Sequence, residues 1–174
     1  RSKTPYYSFS SDVGSLYLQQ AVSSKFELFK NTLLGKANLK IEGTGSSFNP
    51  ELAKANLNAK GSMRVDNAVF TTIDIGKMAE DSINKTIESI AQKIPQLKGQ
   101  RLKTGSIESK YEVVTSDFVV AKGSFKAPNF VGKAIANKGI DLRGDTTVGI
   151  IDKTVQAQWE LIDTYNLTKA QDLA

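Results

Sequence analysis

From Leu57 the chain alternates: Leu57, Ala59, Met63 and Val65 share one parity, while Asn58, Lys60, Ser62 and Arg64 take the other. A period of two marks a strand with one packed face and one wet face. The pattern predicts a strand from 57 to 65, a hairpin turn at Asp66, Asn67 and Ala68, and a second extended run from Val69 to Ile75. Ala37 to Gly43 alternates in the same way, with Ala37, Leu39 and Ile41 on one side. Further along, SDFVVAKGSFKAPN places Val119, Ala121, Gly123, Phe125 and Ala127 on one face. KGIDLRGDTTVGII groups Ile140, Leu142, Val148 and Ile150, and TVQAQWELI groups Val155, Ala157, Trp159 and Leu161.

Two segments carry a longer period. Val13, Leu16, Tyr17, Ala21, Phe26, Phe29 and Leu33 recur at steps of three to five, with Ser11 or Asp12 as a cap and Gly35 as a stop, which predicts a helix over 11–35. Ile83, Ile87, Ile90 and Ile94 form one narrow apolar ridge between Gly76 and Pro95, which predicts a helix over 76–95. Strands buried on both faces would read as continuous apolar runs, so the alternation argues for an antiparallel sheet. The predicted fold is α+β: a single domain with a curved antiparallel sheet of about six or seven strands, its apolar face covered by amphipathic helices. Residues 1–10 are an N-terminal extension in this reading, 36–75 and 105–163 are strands, and 164–174 form a C-terminal tail.

Composition narrows the chemistry. At 174 residues the chain can bury a real core, and its 40% hydrophobic and 24% charged fractions are those of a soluble globular domain. His and Cys are both absent, which removes the imidazole base, the thiolate nucleophile and the usual zinc sites. A non-enzymatic chain with no metal and no cofactor is therefore expected. The net charge of +5 raises the question of nucleic acid, but acidic residues are interleaved with basic ones, and the most basic stretch, Lys98 to Lys103, contains no aromatic residue to stack a base. No nucleic-acid partner is expected. The chain opens at Arg1 without an initiator Met, so any membrane anchor is expected outside it.

Several short motifs are better explained by structure than by chemistry. GTGSS at 43–47 lacks the third Gly and the Lys of phosphate loops and is expected to be a connector. Ser82-Ile83-Asn84-Lys85 and Lys103-Thr104-Gly105 match two signatures of penicillin-recognising serine enzymes, but the third is missing and the interval between them is too short. Arg143-Gly144-Asp145 falls inside an alternating strand, not at a mobile loop tip. Asn84-Lys85-Thr86 and Asn166-Leu167-Thr168 fit the common glycosylation pattern.

The passage from Leu33 to Met78 resembles the C-terminal region of AsmA-like proteins of the Gram-negative envelope. Leu57, Gly61, Met63, Val65, Asn67, Val69, Ile73 and Asp74 match that family's run in order, and the similarity extends over about residues 33–163. Ala68 stands where the family has a turn Gly, so the hairpin is expected either to be longer or to use Asp66-Asn67 as its central pair. The resemblance implies a periplasm-facing domain of an inner-membrane-anchored protein, linked to outer-membrane biogenesis and phospholipid transport between membranes. Its partners would be a phospholipid or other envelope lipid, and possible residues for that role are Met63, Val65, Val119, Phe125 and Trp159 on the sheet and Ile83, Ile87, Ile90 and Ile94 on the helix. The same apolar positions could instead pack the helix against the sheet, leaving a cap or interaction module. A structural or adaptor domain that binds an envelope protein through a strand edge is the alternative from a different class.

Overall fold

The computed structural model describes residues 4–21, 32–105 and 107–171. Strand β1 (Tyr6–Tyr17) leads through a single helical turn, α1 (Leu18–Ala21), toward β2 (Leu33–Ser46). Helix α2 (Pro50–Asn56) then precedes β3 (Asn58–Phe70), α3 (Ile75–Ala91), a 3-10 turn at Pro95–Leu97 and the short β4 (Arg101–Lys103). The remaining strands are β5 (Lys110–Ala121), β6 (Ser124–Ala134), β7 (Asp141–Gly149), β8 (Val155–Ile162) and β9 (Lys169–Gln171). Seven of them form one antiparallel sheet in the order β1-β2-β3-β5-β6-β7-β8, with β1 and β8 as its edges. The fold is thus α+β and mostly sheet; β4 and β9 pair separately.

The predicted hairpin at Asp66, Asn67 and Ala68 is not a turn. Asp66 pairs with Lys36 on one side and Val113 on the other, so β3 runs through unbroken. Opposite Leu34 lies Val69 and opposite Lys36 lies Asp66, so the lone Gly35 faces both Asn67 and Ala68. This is a β-bulge, and Asn67 takes the left-handed φ of 51° that Asn tolerates better than most residues. The extra residue reverses the parity: Ala59 and Val65 are buried before it, Ala68 and Phe70 after it. The second run also ends sooner than expected, since β3 stops at Phe70 and Ile75 already begins α3 under the Asp74 cap, whose carboxylate accepts from the Lys77 N–H at 2.8 Å.

A second bulge explains why 11–17 reads as a helix. Val13 pairs with Leu39 and Leu16 with Ala37, so the extra residue at Gly14-Ser15 brings two inward side chains three positions apart. That spacing imitates a helical step, yet the segment is strand β1, and the N-terminal extension contributes its first half from Tyr6. Phe26 and Phe29, assigned to the same helix, lie outside the described residues. The supposed connector GTGSS is likewise the end of β2 as far as Ser46. At Lys122-Gly123 both residues have positive φ (51° and 70°), giving a two-residue turn of the I′ kind between β5 and β6. Val119 and Phe125 therefore face opposite sides of the sheet.

The apolar face is built from glycines set beside aromatics. Gly43 pairs with Phe9, Gly45 with Tyr7 and Gly61 with Phe118. A Cβ on Gly43 would lie 2.8 Å from Phe9 Cζ, and one on Gly61 would lie 2.7 Å from Phe118 Cζ and run into the Lys40 carbonyl. The end of each ring reaches over a glycine of the neighbouring strand, where no side chain projects. Gly61→Val is expected to lower the urea unfolding free energy by at least about 1–3 kcal/mol through overpacking. Asn67→Val should cost about 1–2 kcal/mol through left-handed strain, whereas Asn67→Gly leaves the unfolding midpoint nearly unchanged.

Candidate functional site

The apolar side of the sheet divides into two regions of different closure. At the α3 end, Val65, Ala68, Phe70, Tyr111, Val114 and Phe130 belong to a continuous buried cluster with Ile140 and Leu142. Ile75 and Ala79 from the first turns of α3 complete it. Four rings organise this region: Phe70 meets Tyr111 edge-on at 5.5 Å, Trp159 at 6.0 Å and Phe130 at 6.4 Å, while Phe130 and Trp159 stack at 5.4 Å. Such contacts add about 0.5–1.5 kcal/mol each beyond simple burial. Trp159 donates its indole N–H to Thr146 Oγ1 at 3.0 Å, and the fully buried Tyr111 donates its hydroxyl to the Ile140 carbonyl at 2.9 Å. Burial, followed by the Asp141 charge, pushes the Tyr111 phenol far up, so it remains a neutral donor.

At the other end, near α2 and the Lys122-Gly123 turn, the buried members of the second cluster among the described residues are Ala59, Phe118 and Val120. Phe9, Leu39, Ile41, Leu57, Met63, Phe125 and Ile150 surround them and stay partly accessible. Phe118 and Phe125 stack at 5.3 Å with 24° between their planes. This half-covered apolar strip crosses β1, β2, β3, β5 and β6, and it is the candidate site. It can hold apolar matter.

The residues singled out from the sequence scatter over four locations. Phe125 lies on the open strip, and Met63 borders both clusters. Val65 and Trp159 belong to the closed region instead. Val119 is 48% exposed on the polar face, where it lines a shallow groove of about 710 Å³ with Glu42 and Lys60. Ile83 and Ile87 are half-buried, Ile90 and Ile94 are exposed, and none of the four belongs to either cluster. Phe9 and Phe118 are not among the apolar candidates read from the sequence, and Leu57 enters there as a strand position and as part of the resemblance. The ring-on-glycine register at Gly43 and Gly61 is the signal that could have found Phe9 and Phe118.

The opposite face is polar and carries several ion pairs. Lys40 pairs with Asp12 at 3.7 Å, Lys60 with Glu42 at 3.0 Å and Arg64 with Asp66 at 2.7 Å. A shallow groove of about 390 Å³ runs over Asn38, Ser62, Thr115 and Asn129 among others. Asn129 seals a bulge in β6, accepting the Asp117 N–H at 2.7 Å and donating to Asp117 Oδ2 at 2.7 Å. Among the described residues no group of His, Cys, Asp and Glu could hold a metal, and no helix is long and apolar enough to cross a membrane.

The two serine-enzyme signatures do become neighbours, for a structural reason. Asn84 Oδ1 accepts the Leu102 N–H at 2.7 Å and its amide donates to the Leu102 carbonyl at 3.3 Å, so the helix stands in for a strand beside β4. Ser82 and Lys85 are exposed, and the Thr104 hydroxyl turns to Glu80 at 3.3 Å. No family model matches this chain, and no curated protein or solved structure matches it either.

After β8 the chain turns on Asp163, whose carboxylate accepts from the Leu167 N–H, the Thr168 N–H and the Thr168 hydroxyl at 2.9, 2.8 and 2.7 Å. Burial works to raise its pKa, but these donors outweigh it and hold the carboxyl below its ordinary 3.8. Because the folded-state pKa is depressed, this stabilisation is present at neutral pH and disappears as pH falls through the folded value. The protection of the Leu167 and Thr168 amides, their exchange rates relative to those of an unstructured chain at the same pH, is therefore expected to hold above pH 3.8 and to be lost as the pH falls below it. In Asp163→Asn the same amides should exchange with no such acid step.

Proposed function

We propose that this chain is a non-enzymatic, periplasm-facing domain of an AsmA-like protein that takes part in outer-membrane biogenesis and in phospholipid transport between membranes. The observation that carries this reading is the unequal closure of the apolar face. One half is filled by the aromatic cluster and the start of α3, and the other is left as a strip of partly accessible Phe9, Ile41, Met63 and Phe125 side chains. The sequence resemblance supplies the biological setting, and the physical match supports it.

We infer further that the sheet curls around its apolar side. Strands β3 and β8 are four spacings apart in the sheet, which on a flat surface would separate their axes by about 19 Å. The Phe70 and Trp159 rings they carry nevertheless lie 6.0 Å apart. Curling of this kind turns a strip into a trough. An acyl chain lying along it would gain about 0.8 kcal/mol for each methylene removed from water, while the ion-paired outer face stays wetted. The headgroup would remain outside, so a strip without fixed charges suits a carrier of many lipids.

The helix contributes less cover than its four-isoleucine ridge promised. Its first turns close the neighbouring cluster through Ile75 and Ala79, and the strip by Phe118 and Phe125 lies beyond them. A photoreactive residue in place of Phe125 or Ile41 is expected to crosslink to phospholipid mixed with the purified protein. The same residue in place of Val114, in the closed region, or Lys126, on the polar face, should not. Equal labelling from all four positions, or none from Phe125 and Ile41, would remove the lipid-contact reading.

A further inference from the structure

The isoleucine ridge of α3 is uncovered progressively along its length. Ile83 and Ile87 are half-buried, whereas Ile90 is 41% and Ile94 45% exposed. Lys93 and Ile94 both donate their N–H to the Ile90 carbonyl at 2.9 Å, so one turn gathers two exposed isoleucines beside a lysine. The 3-10 turn at Pro95–Leu97 follows, then Lys98 and β4, where Arg101 and Lys103 face outward on either side of the buried Leu102. The two hydrogen bonds between Asn84 and the Leu102 backbone fix β4 against the helix, so these cations are placed by the fold.

The charge of this tip is one-sided. No acidic residue occurs between Glu88 and Glu108, and Lys93, Lys98, Arg101 and Lys103 are all exposed. Seven other Lys and Arg side chains are ion-paired, but none of these four has an ion pair among the described residues. Unpaired cations beside exposed aliphatic side chains match a surface that offers negative charge and an apolar layer beneath it. Nucleic acid fits less well, because no aromatic residue lies between Phe70 and Tyr111 to stack on a base. We infer that the end of α3, the 3-10 turn and β4 form a docking tip for a bilayer surface rich in anionic headgroups. The cations draw the tip to the headgroups and Ile90 and Ile94 enter the acyl boundary. This contact is separate from the apolar strip of the sheet and stands whether or not that strip carries lipid.

Vesicle flotation tests it, using phosphatidylcholine with and without about one-third phosphatidylglycerol. The chain is expected to float at least about tenfold more strongly with the anionic vesicles, since each Lys or Arg near such a surface is worth about a fivefold gain. Joint replacement K93Q, K98Q, R101Q and K103Q should abolish that preference, and Arg in place of Lys93, Lys98 and Lys103 should retain it. Ile90→Ser with Ile94→Ser should weaken flotation at a salt concentration that screens the charges. These positions are exposed, and unchanged circular dichroism would show that the variants fold. The inference is overturned if neutral and anionic vesicles bind equally or not at all, if the glutamine variant keeps its preference, or if an oligonucleotide or an acidic protein binds the tip more tightly than the anionic vesicles do.

Discussion

The fold depends on aromatic rings that reach over glycines on the adjacent strand. Where Phe9 crosses Gly43, Tyr7 crosses Gly45 and Phe118 crosses Gly61, the strands have no side chain beneath the ring. The apolar layer is consequently thin at that end of the sheet and leaves neighbouring Leu39, Ile41 and Phe125 partly accessible. At the other end Phe70, Tyr111, Phe130 and Trp159 meet one another, and the layer closes. Both ends use rings beside glycines, as with Phe118 over Gly61 and Tyr111 beside Gly132, but only at the α3 end do four rings interlock and close the layer.

Magnitudes assign the two faces different tasks. Exposed ion pairs such as Lys40–Asp12 and Lys60–Glu42 contribute about 0–1 kcal/mol each, whereas burying one aromatic or aliphatic side chain contributes about 1.5–3 kcal/mol. Cohesion therefore comes from the apolar side, and the polar side mainly keeps that half of the sheet wetted and its register specific. Arg64, Asp66 and Asn38 illustrate the second task. Arg64 and Asn38 both donate to Asp66 next to the β3 bulge, and Asn38 also accepts the Ser15 N–H at the β1 bulge.

Much of the sheet was legible because strand parity survives in the sequence, as in Ile140, Leu142 and Val148, which are all buried as their spacing implies. Parity fails at bulges, where one added residue carries no compositional label. At Gly14-Ser15 it turned a strand into an apparent helix, and at Asn67 it turned a continuous strand into an apparent hairpin. Lys122-Gly123 failed in the opposite sense, since a true hairpin was counted as strand and Val119 was assigned to the wrong face. On the candidate strip, Met63 and Phe125 were accessible to pattern reading, but Phe9 was hidden in a segment taken for an extension. Ile90 and Ile94 are uncovered while Ala91 between them is buried, so their exposure depends on which side of α3 meets the rest of the fold, and spacing along one helix does not encode that.

The apolar face is closed at the α3 end and open at the α2 end, and methyl relaxation in the presence of dissolved oxygen measures that division directly. Oxygen partitions to accessible apolar surface and speeds relaxation of nearby methyl groups. Strong enhancement is expected at Leu39, Ile41 and Leu57 and weak enhancement at Ile75, Val114 and Leu142. Equal enhancement in the two sets, or the reverse order, would contradict it.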